Sequence, residues 1–212
     1  MLANRMMMGA AGVAQPCIYT DECTTLTGWT DSDLTNGVTS QETFDGKSTF
    51  KMDTNTHNVG GNYCHQYKTI GSFDGFGDRI VATCHVYFDL IGTLANNDHA
   101  KFIIQRSDWR FGVIFASDGV YIYDGAAYNT IGNFVVLDTW QLWQFDIDLS
   151  SGVANATVDS YLDSVSKATG KDCSYDGGST DGRVELQQRG YTSDDQIMYW
   201  DYVRFGTDLG CV

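Results

Sequence analysis

From Cys17 onward, apolar and polar residues alternate with a period of two, and short polar turns break the alternation. Residues 78–90 show it most clearly: Ile80, Ala82, Cys84, Val86 and Phe88 fall on one face of an extended segment. Trp143, Phe145, Ile147 and Leu149 share a face, with Gln144, Asp146 and Asp148 on the other. Ala154, Ala156, Val158 and Leu162, with Ser160 in the same row, predict a further strand, and Val184, Leu186 and Gln188 another. Near the end, Ile197, Tyr199, Asp201, Val203 and Phe205 alternate with Met198, Trp200, Tyr202 and Arg204. Turn pairs separate these runs: Asp45-Gly46, Gly60-Gly61, Asp74-Gly75, Asp118-Gly119, Asp124-Gly125 and the Asp176 to Gly178 stretch. Strands at this spacing, with no long 3.6-period segment between them, predict an all-β sandwich or barrel rather than a βαβ fold.

Composition agrees. The chain has 212 residues, 42% of them hydrophobic, with 23 Gly and a single Pro. That is enough apolar material for one sizeable core, and glycine turns with aromatic-rich segments are β-type usage. No linker or internal repeat divides residues 17–212, which read as one domain. No run reaches the length of a membrane span. The 13 Lys and Arg against 27 Asp and Glu give a net charge of −14. Such a balance disfavours nucleic acid, whose phosphates need clustered cations, and suits a hard cation such as calcium.

Six cysteines (Cys17, Cys23, Cys64, Cys84, Cys173, Cys211) stand without a C-x-x-C, and the four histidines are scattered, so zinc is not expected. Disulfides form if the protein works outside a cell; otherwise the thiols pack as small hydrophobes. Cys84 lies in an apolar row and is expected to be buried. Residues 1–16 differ from the rest. Arg5 is followed by Met6, Met7 and Met8 and then by Gly and Ala. A signal peptide is one reading, but the apolar run is short and interrupted by Gly9 and Gly12. The preferred reading is a docking arm in which Arg5, Met6, Met7 and Met8 insert into a partner's groove.

The order of four segments resembles the concanavalin A-like jelly rolls, the superfamily of laminin-G-like domains, legume lectins and laminarinase-type glucanases. These are Leu26-Thr-Gly-Trp29, residues 44–52, residues 140–148 and Trp200-Asp-Tyr-Val-Arg-Phe205. The resemblance implies a two-sheet antiparallel jelly-roll sandwich behind a short N-terminal arm, and it brings the two chain ends together, so that Cys211 is expected near Cys17 or Cys23. In laminarinase-type members an acid in the last strand is a calcium ligand. Carried over, that implies a structural Ca2+ held by Asp201, by Asp45 or Gly46, and by a residue near Glu22. The alternative is that Asp201 accepts hydrogen bonds with no metal. The family's Glu-x-Asp-x-x-Glu catalytic pattern is absent, since Leu149-Ser-Ser-Gly152 follows Asp146-Ile-Asp148. Alginate-lyase-type members use Arg, Gln, His and Tyr to neutralise a uronate and abstract a proton. Those residue types occur here as Gln105-Arg106, Gln187-Gln-Arg189 and His85 with Tyr87, without a joining motif.

Sugar binding needs flat aromatic faces beside planar polar groups. Arg106, Trp109, Tyr121, Tyr123, Tyr128 and Arg189 are the candidate ligand-binding residues, suited to a glycan or to a protein surface. The arm resembles those of bacteriophage structural proteins. The preferred reading is therefore a non-catalytic, homo-oligomeric surface protein of a virion, a capsid decoration or fibre component. It would dock other subunits through its arm and touch cell-surface glycans, at a virion surface or outside cells. The alternatives are a secreted carbohydrate-binding module, or a lyase or hydrolase of the laminarinase or alginate-lyase type.

Overall fold

The computed structural model describes residues 17–33, 37–55, 62–71, 77–175, 181–190 and 195–207. The expected docking residues Arg5, Met6, Met7 and Met8 lie outside these, as does Cys211. Fifteen strands follow in chain order: β1 (Tyr19–Asp21), β2 (Thr30–Asp31), β3 (Val38–Phe44), β4 (Lys47–Asp53), β5 (Asn62–Thr69), β6 (Arg79–Leu90), β7 (His99–Gln105), β8 (Arg110–Ala116), β9 (Gly119–Tyr123), β10 (Tyr128–Gly132), β11 (Trp140–Asp148), β12 (Thr157–Leu162), β13 (Val165–Asp172), β14 (Arg183–Gly190) and β15 (Ile197–Gly206). They form two antiparallel sheets. The eight-stranded sheet runs β13-β12-β11-β6-β15-β4-β3, with β1 added beside β15. The seven-stranded sheet runs β10-β9-β8-β7-β14-β5-β2. The chain is thus the all-β sandwich that the alternation predicts, in the two-sheet jelly-roll form that the resemblance implies.

The strand rows read from the sequence become the two inner faces. Ile80, Ala82, Cys84, Val86 and Phe88 of β6 are fully buried, as are Trp143, Phe145 and Ile147 of β11. They face Phe102, Phe111, Phe115 and Leu186 from the opposite sheet within one hydrophobic cluster. Each such side chain contributes roughly 1.5–3 kcal/mol on burial. The Asp45-Gly46 pair makes the β3–β4 hairpin, with φ of 49° and 74°, the double positive φ that a tight two-residue turn requires.

Two expectations are corrected. The last strand does not keep one alternation. A bulge between Trp200 and Tyr202 shifts its register against β6, so Met198 and Trp200 point inward before it and Val203 and Phe205 after it. Asp201 therefore lies outside the row that Val203 occupies. Trp109, expected on a ligand surface, is fully buried, and its indole N–H donates to the Cys173 carbonyl at 3.1 Å.

Cys17 is disulfide-bonded, whereas Cys23, Cys64, Cys84 and Cys173 are buried free thiols whose burial pushes their pKa upward. Non-reducing peptide mapping should recover the Cys17 peptide only in a linked form. Alkylating reagents should reach the other four thiols only after denaturant is added; rapid labelling of the native protein would contradict their burial. Trp109→Ala should lower the unfolding free energy by about 3–5 kcal/mol in denaturant titration, as a core deletion does.

Candidate functional site

The pleat that sends Val184, Leu186 and Gln188 of β14 into the core turns Arg183, Glu185, Gln187 and Arg189 to the outer face of the seven-stranded sheet. Register places specific partners beside them. Gln187 lies between His65 of β5 and Lys101 of β7, Arg189 between Tyr63 and His99, and Glu185 between Tyr67 and Ile103. Across β8 and β9, Lys101 is opposite Ile114, which is opposite Tyr121, and Tyr123 is opposite Tyr128. One face thus gathers two histidines, one lysine, three arginines, one glutamate and a band of tyrosines.

The face is recessed rather than open. Gln187, Glu185, Ile103, Ile114 and His99 point away from the core yet are 6%, 5%, 2%, 2% and 1% exposed. A cavity of about 170 Å³ opens over β7, β8 and β9, bounded by Lys101, Arg110, Tyr123, Tyr128 and Tyr175. Gly112 forms part of its floor, where a Cβ would meet only Ile103. Tyr123 packs on Tyr128 and Tyr175 with ring centroids 5.1 and 5.2 Å apart. Arg110 lies over Tyr175, Arg183 over Tyr67 and Arg189 over Tyr63. Such stacking holds guanidinium groups in place while leaving donors free.

Glu185 is the centre of the polar network. His65 Nε2–H donates to Glu185 Oε2 at 3.3 Å, Gln187 Nε2–H at 3.0 Å, and Arg110 Nη2 lies 3.5 Å away. Burial acts to raise its carboxyl, but the His65 bond and the Arg110 charge outweigh that and hold it below its ordinary range. Lys101 moves in the opposite sense. Burial, then the charges of Arg189 and Arg110, bring its ammonium down to about 8 against the pull of Glu185. Burial with the Lys101 and Arg189 charges lowers His99 to about 3, so its imidazole is neutral at ordinary pH. Neither His99 ring nitrogen has a hydrogen-bond partner among the described residues. Burial raises the Tyr63 phenol to about 12, with Arg189 and Arg110 opposing and Glu185 adding to the rise.

The candidate residues read from the sequence divide. Tyr121, Tyr123, Tyr128 and Arg189 share this face. Arg106 does not, since its guanidinium is folded onto Asp108 at 2.6 Å in the β7–β8 connection. Gln187 belongs to the face, whereas His85 and Tyr87 lie on the outside of the other sheet. Of the expected calcium set, Asp201 accepts from Lys47 Nζ at 3.0 Å and from His85 Nδ1 at 2.7 Å. Asp45 accepts from the Trp140 indole, Glu22 pairs with Arg204, and Gly46 forms the hairpin turn. Among the described residues no three acidic, histidine or cysteine side chains group closely enough to hold a metal ion. Sequence reading missed Tyr63, His65, His99, Lys101, Arg110, Arg183 and Glu185. Their signal was there in part: Tyr63-x-His65-x-Tyr67 and Arg183-x-Glu185-x-Gln187-x-Arg189 are period-two rows of functional groups opposite core rows.

No protein-family profile matches the chain, and no curated protein matches it by sequence. Solved structures do match by fold. The endo-β-1,4-glucuronan lyase of the fungus Trichoderma reesei superposes with a TM-score of 0.60 at 12% identity, over 91% of this chain and 96% of that one. Peanut lectin gives 0.57 at 12% identity, over 88% and 95%. A mutant of the alginate lyase Aly36B in complex with alginate trisaccharide gives 0.52 at 10% identity, over 85% and 98%. These likenesses show a jelly-roll sandwich fold that lectins and lyases share.

His99 and Lys101 each contribute to the pH dependence of stability. His99 binds a proton in the unfolded chain from about pH 6.5 downward but in the folded protein only near pH 3. Stability should therefore fall as pH drops from about 6.5 toward 3, and His99→Gln should flatten that fall in chemical denaturation series. For Lys101 the unfolded chain holds more protons between pH 8 and its ordinary value near 10.5, so its contribution to stability rises with pH across that window.

Proposed function

We propose that the protein is a polysaccharide lyase that lays an acidic, uronate-containing chain along the outer face of the seven-stranded sheet and cleaves it by β-elimination. The observation that carries this reading is Lys101. It is a mostly buried amine brought to about 8 between Arg110 and Arg189, on the floor of an aromatic-walled recess. A base tuned near working pH inside a cationic recess is what proton abstraction beside a carboxylate needs. In a chain of net charge −14, this face collects, among the described residues, Lys101, Arg110, Arg183 and Arg189 around the carboxylate Glu185, so the acidic polymer is drawn to this side of the molecule. The lyases and lectin that share the fold support a saccharide as ligand.

In the proposed reaction Arg189 and Gln187 engage the uronate carboxylate and disperse the charge that develops when the C5–H bond breaks. Lys101, as the free amine, takes that proton. The electron pair forms the C4–C5 double bond and expels the C4 glycosidic oxygen, which takes a proton from Tyr63, a phenol that stays protonated well into the alkaline range. No water is consumed. Glu185 is a positioning residue: it holds His65, Gln187 and Arg110 in register. This reading departs from the preference for a non-catalytic virion scaffold, which rested on the absent Glu-x-Asp-x-x-Glu pattern and on residues 1–16.

The test is turnover of alginate, glucuronan and polygalacturonate, followed by the ultraviolet absorbance of the unsaturated uronate product. At least one polymer should be cleaved, with kcat/KM rising toward about pH 8 as Lys101 loses its proton. Lys101→Ala should cost about 10²–10⁴-fold in kcat, the usual worth of a general base, while calorimetric binding persists. Tight binding of an acidic polymer without any turnover would replace the lyase with a lectin-like reading. Absence of both would remove the site.

A further inference from the structure

The outside of the eight-stranded sheet carries an aromatic surface of its own. A solvated sheet face ordinarily presents polar residues at alternate positions. Here β3, β6, β11 and β15 instead bring Phe44, Tyr87, Trp140 and Tyr199 together. Phe44 stacks on Tyr199 with centroids 3.9 Å apart and planes 8° from parallel, and meets Tyr87 edge-on at 4.8 Å. Trp140 lies 5.5 Å from Tyr87 and 4.8 Å from the His85 ring.

Polar partners hold these rings from the rim. The Trp140 indole N–H donates to Asp45 Oδ2 at 3.0 Å, and the Tyr87 hydroxyl donates to Asp138 Oδ1 at 3.4 Å. Lys47 Nζ sits 5.6 Å from the Trp140 ring centroid while bonded to Asp201, which also accepts from His85 Nδ1. Flat rings fixed beside carboxylates, an ammonium and an imidazole are a preorganised stacking platform with hydrogen-bonding groups along its border.

The charge on this face selects the ligand. Glu42, Asp45, Asp53, Asp89, Asp138 and Asp201 surround the rings, against Lys47 and Lys51. A polyuronate would be repelled. A second copy of this chain, meeting the first across a two-fold axis, would bring the same carboxylates face to face. A neutral chain of pyranose rings meets neither obstacle, since its C–H faces stack on aromatics and its hydroxyls donate to carboxylates.

We propose that this face, centred on Trp140, is a second glycan-binding platform, specific for a neutral polysaccharide and independent of the cationic recess on the opposite sheet.

Native affinity electrophoresis in gels containing hydroxyethyl cellulose, laminarin or galactomannan tests the proposal. At least one of the three should retard the wild-type chain and Lys101→Ala equally. Trp140→Ala should weaken that retardation by about tenfold or more, a loss of roughly one stacking contact. Tyr87→Ala, which removes a half-exposed ring and spares the core, should weaken it too and serves if Trp140→Ala fails to fold. Retardation by none of the three polymers, or retardation unchanged in both variants, overturns the proposal. So does a wild-type dimer in sedimentation that Trp140→Ala dissociates, because the face would then be covered by a second copy. Failure of the lyase assay leaves these readouts untouched.

Discussion

Because side chains alternate across a strand, each residue that the core takes from β14 delivers its neighbour to the opposite surface. Val184 and Leu186 join the cluster that holds Phe102 and Trp200, and Gln188 is buried in the same row, so Arg183, Glu185, Gln187 and Arg189 have no choice of face. The same pleat acts on β5 and β7, and antiparallel register then aligns the three outward rows. Packing of the inner faces is therefore what assembles the recess; slipping any one strand by a single residue would bury its charges and expose its apolar row.

The recess tolerates its cations because they are arranged in compensating pairs of stacking and charge. Three guanidinium groups lie over tyrosine rings, and Glu185 supplies the one buried negative charge among them. Among the described residues no carboxylate forms an ion pair with Lys101, and Glu185 opposes its shift only in part. Its burial and its arginine neighbours make the neutral amine accessible near pH 8, which is the physical reason a reaction, and not only binding, is attributed to this face.

The two outer surfaces of the sandwich differ in kind. One is recessed, cationic and tyrosine-lined. The other is an aromatic tract bordered by carboxylates, in which Asp201 answers Lys47 and His85. The two sheets thus carry two chemically different outer surfaces about one core, which is why two separate ligands are proposed for them.

The chain alone determined the class of fold. Alternation in β6, β11 and β14, with turn pairs such as Asp45-Gly46, is local information, because the pleat and the turn depend only on neighbouring residues. It also singled out Tyr121, Tyr123, Tyr128 and Arg189, which share the outer face of the seven-stranded sheet. It misplaced Trp109 and Arg106, whose polar-aromatic setting looks like a surface but closes a buried connection. It misread the row of Asp201, since the β15 bulge is set by pairing with β6 and leaves no mark in the periodicity. The meeting of His65, Lys101 and Gln187 was decided only in three dimensions. Those residues come from strands far apart in sequence, and which strands lie side by side follows from how two whole sheets close over a shared core.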